Sequence, residues 1–214
     1  MVIISDDLKP ILRLGVIRLE GLRTVETGTA SAEAPPSQTV SPAGVSEDRV
    51  TAVRSMYRRL GIDPTKTRPS SEALLRRVHR GESLPRINTL VDVCNRCSLE
   101  TQLPYGLYDL RCIEGTIHLR VGQSGDEYEG IRKRVVHLAG RPALFDQRGP
   151  FGNPTADSAR TMVTTDTTGV CVVVFAPRVV PRPDVEAVLD LTASRVLATA
   201  GGRELGRWVV GDER

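Results

Sequence analysis

Aromatic residues are scarce in this chain of 214: one Trp, four Tyr and three Phe, or 4 %. Rings cannot dominate the core, so Leu, Val, Ile and Ala must fill it. No run of about 18 apolar residues occurs, which excludes a hydrophobic membrane-spanning helix. The amino-terminal MVIISDDLKP has no basic segment leading into an apolar stretch, so a secretory leader is not expected and a cytoplasmic location is. Cysteines number only four (Cys94, Cys97, Cys112 and Cys171), too few for a disulfide-stapled secreted scaffold, and they are read as reduced thiols. There is no G-x-S-x-G elbow, no GxxxxGK[ST] loop and no HExxH, which argues against ATP hydrolysis and zinc-protease chemistry. What remains is ordinary for a soluble globular protein: 40 % hydrophobic and 26 % charged residues, on a chain long enough to bury a core without metal or disulfides.

The net charge of +3 decides little as a total, but its distribution is uneven. From Arg49 to Arg86 stand ten basic residues against three acidic ones, a local +7, so the remainder is acidic. Arg54 and Arg58 are one helical turn apart, and Arg76, Arg77 and Arg80 cluster likewise. Such a block is either a solvated helix face or a phosphate-binding surface.

Hydrophobic spacing sets out the elements. Ile11 to Glu20 alternates as a strand. Thr27 to Ser46 holds no Leu, Ile or aromatic residue and reads as a mobile loop rich in Pro, Ser, Thr and Ala. Ser46 then caps a helix that Gly61 ends, Ser70 caps a second that Gly81 ends, and Pro85 precedes a third with Ile87, Leu90, Val91 and Cys94 on one face. Beyond Pro104 the period shortens toward 2. Leu107 to Leu110, Thr116 to Val121, Ala143 to Phe145, Thr161 to Thr164 and Val170 to Phe175 read as strands, the last a central one. A closing helix starts at Asp184 and stops at Gly201, and 203–214 is taken as a tail with an edge strand at Arg207 to Val210. Helices grouped ahead of strands argue for an α+β fold. The whole of 1–214 is read as one domain: an N-terminal strand and helices, a mostly antiparallel β-sheet layer, and a C-terminal helix.

Three motifs invite chemistry. Cys94-Asn-Arg-Cys97 is a CxxC without a second ligand pair, so structural thiols are expected and no metal. Gly122 to Gly130 is glycine-rich but carries Asp126, Glu127 and Glu129, which suits an acidic turn. Gly149-Pro-Phe-Gly-Asn-Pro154, followed by many hydroxyl residues, reads as a rigid irregular loop at a small polar pocket or as a turn before a Thr-rich strand.

Four segments in order, Arg68 to Arg77 (RPSSEALLRR), Ile87 to Asn95 (INTLVDVCN), Leu103 to Asp109 (LPYGLYD) and Leu119-Arg120, resemble the B3/B4 editing domain of the phenylalanyl-tRNA synthetase β subunit. The stretch Gly149 to Val174 is similar too, and the likeness runs roughly from Val50 to Leu197, closest to free-standing relatives. The resemblance implies binding of the aminoacylated 3′ end of tRNA and hydrolysis of a wrong aminoacyl ester in trans, with no cofactor and no ligase reaction. It implies an aminoacyl pocket at Asn95, Gly106, Gly149, Gly152, Asn153, Ser158 and Val173, with Gly152 and Asn153 at the floor facing Asn95 and Gly106. Arg54, Arg58, Arg68, Arg76, Arg77 and Arg80 are the expected tRNA contacts; neither DNA nor membrane is an expected partner. Two departures bear on substrate. Gly106 stands where the family has histidine, and Val173 near where it has a glutamate that reads the tyrosine hydroxyl. An apolar wall cannot read a hydroxyl, so a small or aliphatic aminoacyl group is expected. A non-catalytic RNA-binding module and a small amino-acid binder remain the alternatives.

Overall fold

The structure is a computed structural model that describes residues 1–28, 47–132 and 134–212. In chain order its elements are β1 (Val2–Ile4), β2 (Leu12–Glu20), α1 (Glu47–Arg59), α2 (Ser70–His79), α3 (Thr89–Thr101), β3 (Tyr105–Asp109), β4 (Ile117–Val121), β5 (Glu127–Glu129), β6 (Val135–His137), β7 (Pro142–Asp146), β8 (Gly149–Asn153), β9 (Ala156–Asp157), β10 (Gly169–Pro177), α4 (Arg182–Ala200) and β11 (Arg203–Val210). From residue 29 to 46 the expected mobile loop, with the Ser46 cap, lies outside the described residues.

Strand β10 shows how composition dictates position. Its GVCVVVFAP run is β-branched and apolar, and all nine residues are buried. It pairs antiparallel with β2 on one side and β3 on the other. Strand β11 adds to the far edge of β2, giving the order β11-β2-β10-β3. A second sheet, β1-β4-β7-β8-β9, is antiparallel except for the parallel β1–β4 pair. A small β5–β6 ribbon stands apart. One hydrophobic cluster takes residues from both larger sheets, including Leu14, Val173, Leu119, Leu144 and Phe151. Helix α4 covers it with Val185, Val188, Leu189, Thr192 and Val196, all buried at helical spacing. This is the expected α+β arrangement. No helix among the described residues is long and apolar enough to cross a membrane.

Several local expectations are corrected. Ser70 is the first residue of α2, not its cap; Pro69 precedes it and makes no side-chain cap bond. Helix α3 starts at Thr89 under an Asn88 cap whose side chain accepts from the Val91 N–H at 3.0 Å, leaving Ile87 outside the helix and exposed. Thr161 to Thr164 is no strand: a 3-10 turn covers Ala159–Thr161, because Ser158 accepts from the Arg160 N–H and bends the chain. The Gly149 to Pro154 stretch is mostly strand β8. Its proline sits beside a register shift, and only a two-residue strand pairs on its far side. The expected C-terminal tail is β11, an eight-residue edge strand. The acidic 122–130 segment contains β5 as well as its turn, where Asp126 accepts from the Gln123 N–H.

Candidate functional site

Helix spacing brings Val91, Cys94, Asn95 and Ser98 to one face of α3. Strand alternation brings Tyr105 and Leu107 to one face of β3. These six residues line a cavity of about 200 Å³, together with Ser70, Ile87, Ile131, Asp157, Met162 and Val163. Ile87, Ile131 and Met162 are exposed by 52 %, 47 % and 38 %, so three of the chain's uncovered large apolar side chains converge on this one place.

The carboxyl of Asp157 is the one acidic group in the lining. Its segment is held from every side. Asn153 Oδ1 accepts from the Thr155 N–H (2.7 Å), the Thr155 hydroxyl (2.7 Å) and the Ala156 N–H (2.9 Å), which turns the chain out of β8 and into β9. The Tyr57 hydroxyl of α1 donates to Pro154 O at 2.5 Å, and the Tyr128 hydroxyl of β5 donates to Ala156 O at 2.6 Å. The Ser158 N–H donates to Phe151 O (3.0 Å), and the Ile131 N–H to Asp157 O (3.2 Å). Burial pushes the Asp157 carboxyl up to about 7, while the Tyr108 hydroxyl and the Leu107 N–H pull the other way. No Arg, Lys or His pairs with it among the described residues.

The residues expected at the pocket are placed unevenly. Asn95 lines the cavity, half-buried, and its side chain makes no hydrogen bond to protein among the described residues. Gly106 and Gly152 instead flank the ring of Tyr108. A Cβ on Gly106 would stand 2.1 Å from Tyr108 Oη, and one on Gly152 would stand 2.3 Å from it. The space expected from glycine in place of histidine is therefore filled by tyrosine. Tyr108 is fully buried and packs edge-on to Phe151, with ring centroids 5.0 Å apart at 88°. Val173 is buried in β10 opposite Gly106. Gly149 starts β8, at φ +116°. Asn153 and Ser158 are buried, and their side chains bond the backbone of the turns on either side of Asp157.

The expected tRNA contacts divide as well. Arg54 and Arg68 both pair with Glu72, at 3.0 and 3.3 Å, and Arg77 and Arg80 both pair with Glu82, at 3.1 and 2.6 Å. Arg58 and Arg76 are exposed and make no ion pair among the described residues. Arg86, the last of the basic block, and Arg132, outside it, are exposed and adjoin Ile87 and Ile131 in the chain.

Other cavities are less suited to a ligand. In the one of about 370 Å³ between α4 and β11, Arg182 pairs with Glu186 and Arg207 with Asp190, so its charges are already matched. Among the described residues no group of three or more His, Cys, Asp or Glu gathers as a metal site. Cys94 and Cys97 are free and buried in α3. Burial raises both thiols and pushes Cys171 up to about 11, whereas Cys112 is only half-buried. Native-state alkylation at pH 8 should therefore modify Cys112 first, with the other three at least about tenfold slower. Equal rates by peptide mass spectrometry would show that α3 opens readily.

One antiparallel and one mixed sheet, a covering helix and a small acid-bearing cavity between α3 and β3 define the class: an α+β domain. Residues 52–189 match the B3/4 domain family, and the chain belongs to that family. Its fold is similar to the crystal structure of an N-terminal fragment of the phenylalanyl-tRNA synthetase β-subunit from Pyrococcus horikoshii, with a TM-score of 0.51 and 16 % identity. That likeness covers 99 % of this chain and 54 % of the other, so the chain spans about half of the fragment. No match was found among curated proteins.

Proposed function

We propose that the protein is a free-standing editing factor that binds the aminoacylated 3′ end of tRNA and hydrolyses a mischarged ester in trans, in the cytoplasm. Membership of the B3/4 family supports the tRNA-related class. The observation that carries the reading is the cavity itself: an apolar mouth, an unbonded Asn95 amide and a cation-free carboxyl. An aminoacyl ester is already activated relative to an amide, so hydrolysis needs a placed water and donors toward the developing oxyanion. The Asn95 amide is free to supply one such donor. The 2′- or 3′-hydroxyl of the terminal ribose is a candidate to hold the water.

The cavity holds no histidine, and its only thiol, Cys94, is kept protonated by burial. That observation favours, as the second reading, a module that binds without hydrolysing. A panel of mischarged tRNAs separates the two. Release of one or a few amino acids at rates well above buffer is the expected result, and binding without release would establish the second reading. Changing Arg58 and Arg76 together to Ala should weaken tRNA binding and flatten the slope of log K against log salt by about 1–2. An unchanged slope would return these arginines to the solvated surface.

A further inference from the structure

The cavity presents a carboxylate whose counter-charge is missing. The Tyr108 hydroxyl of β3 faces Asp157, Tyr57 of α1 and Tyr128 of β5 bond the backbone just before it, and no basic group faces it among the described residues. Tyr108 Oη meets no partner with good hydrogen-bond geometry; the acceptor it faces is this carboxyl. Elsewhere among the described residues the buried carboxylates are matched. Asp146 pairs with Arg160 at 2.9 Å, Asp109 with Arg111 at 2.9 Å, and Glu72 with two arginines. A half-buried carboxylate that faces no cation is costly to keep charged. Asp157 alone among these opens onto a cavity, and the segment that leads into it, 153–156, is held by five hydrogen bonds.

Besides the carboxyl, the lining includes the apolar side chains of Ile87, Val91, Leu107, Ile131, Met162 and Val163. The volume of about 200 Å³ is below the roughly 300–1,000 Å³ of sites for drug-sized ligands. A ligand that satisfies both halves carries a compact cation on a small aliphatic body. The Asn95 amide stands free beside them to meet a carbonyl oxygen.

We propose that Asp157 binds the α-ammonium of an aminoacyl group with a small aliphatic side chain, while Asn95 meets its carbonyl. Asp157 is thus assigned to substrate recognition and not to proton abstraction. The assignment rests on the reading of this cavity as the aminoacyl pocket. It explains how specificity arises without a side-chain-reading acid: every aminoacyl ester shows an ammonium, and size alone then selects the side chain. An N-blocked aminoacyl ester would be refused.

The test uses the intact protein and small probes without RNA. At pH 7, valinamide, N-acetylvalinamide and tyrosinamide are titrated by ligand-observed NMR. Valinamide should bind, with N-acetylvalinamide and tyrosinamide each at least about tenfold weaker. Asp157→Asn should lower valinamide affinity by about tenfold or more and leave the N-acetyl probe unchanged. Equal affinity for valinamide and N-acetylvalinamide, or no binding of either, would overturn the proposal, and that comparison needs no variant. Deacylation failing on every tRNA would instead remove the enzymatic reading and leave the ammonium site standing. Should Asp157→Asn abolish hydrolysis of free and N-acetylated aminoacyl-tRNA equally, with valinamide binding intact, the residue is a general base and the proposal is wrong.

Discussion

Alanine at position 106 is expected to destabilise the protein by about 3 kcal/mol or more, at the upper end of overpacking effects. The new Cβ would lie 2.1 Å from the Tyr108 hydroxyl oxygen and 2.6 Å from the ring carbon that bears it. Tyr108 cannot yield, because it is fully buried and Phe151 abuts it edge-on. Its other flank meets Gly152, where a Cβ would stand 2.3 Å from the same oxygen. Urea unfolding should show the loss in midpoint. The cause is checked by coupling: in a Tyr108→Leu background, Gly106→Ala should cost less than about 1 kcal/mol. Additive losses would mean that something other than the ring is in the way. It follows that Gly152→Trp would disrupt the fold rather than plug a pocket.

The second large effect belongs to Asp157 and depends on pH. In the unfolded chain this carboxyl ionises near its ordinary 3.8, and in the folded protein near 7. Between those values the native state keeps a proton that the unfolded state has lost. Stability therefore falls as pH rises from about 4 to about 7, and the deficit persists above. An asparagine in place of the acid, neutral at every pH, escapes the fall. The Asp157→Asn variant should melt on the order of 5–10 °C above the parent at pH 8 and within about 2 °C of it at pH 4. The same difference at both pH values would show that Asp157 carries no raised ionisation in the folded state.

Much of this architecture is written in local sequence, and the parts that are not share a cause. The valine run of β10, the alternation of β2 and the apolar stripe of α4 each carry enough residues to display a period. Strands β1, β5, β6 and β9 have two or three residues, too few for a pattern to show. Strand β8 was masked by its own glycines and proline. Gly152 is there because a tyrosine 44 positions earlier needs the room, which no local window reveals. The pocket divides in the same way. Asn95 came with the resemblance and lines the cavity. Asp157 stood among many hydroxyl residues as one polar side chain of several; what sets it apart is burial beside Tyr57, Tyr108 and Leu107, all distant in the chain. The basic block was visible as charge. That Glu72 engages Arg68 was readable from their four-residue spacing, but Arg54 reaches the same carboxylate from another helix.

The order of strands has a consequence for how the chain is made. Strand β2 is synthesised among the first twenty residues, yet both its neighbours in the sheet, β10 and β11, come from the last fifty. At about 5–20 residues per second, a ribosome takes roughly 8–30 s to travel from Glu20 to Pro177. Throughout that interval Leu12, Leu14, Val16, Ile17 and Leu19, all fully buried at the end, wait without the strands that will pair with them. The nascent protein thus carries an orphan hydrophobic strand throughout that interval, and folding of this sheet waits on the arrival of β10 and β11.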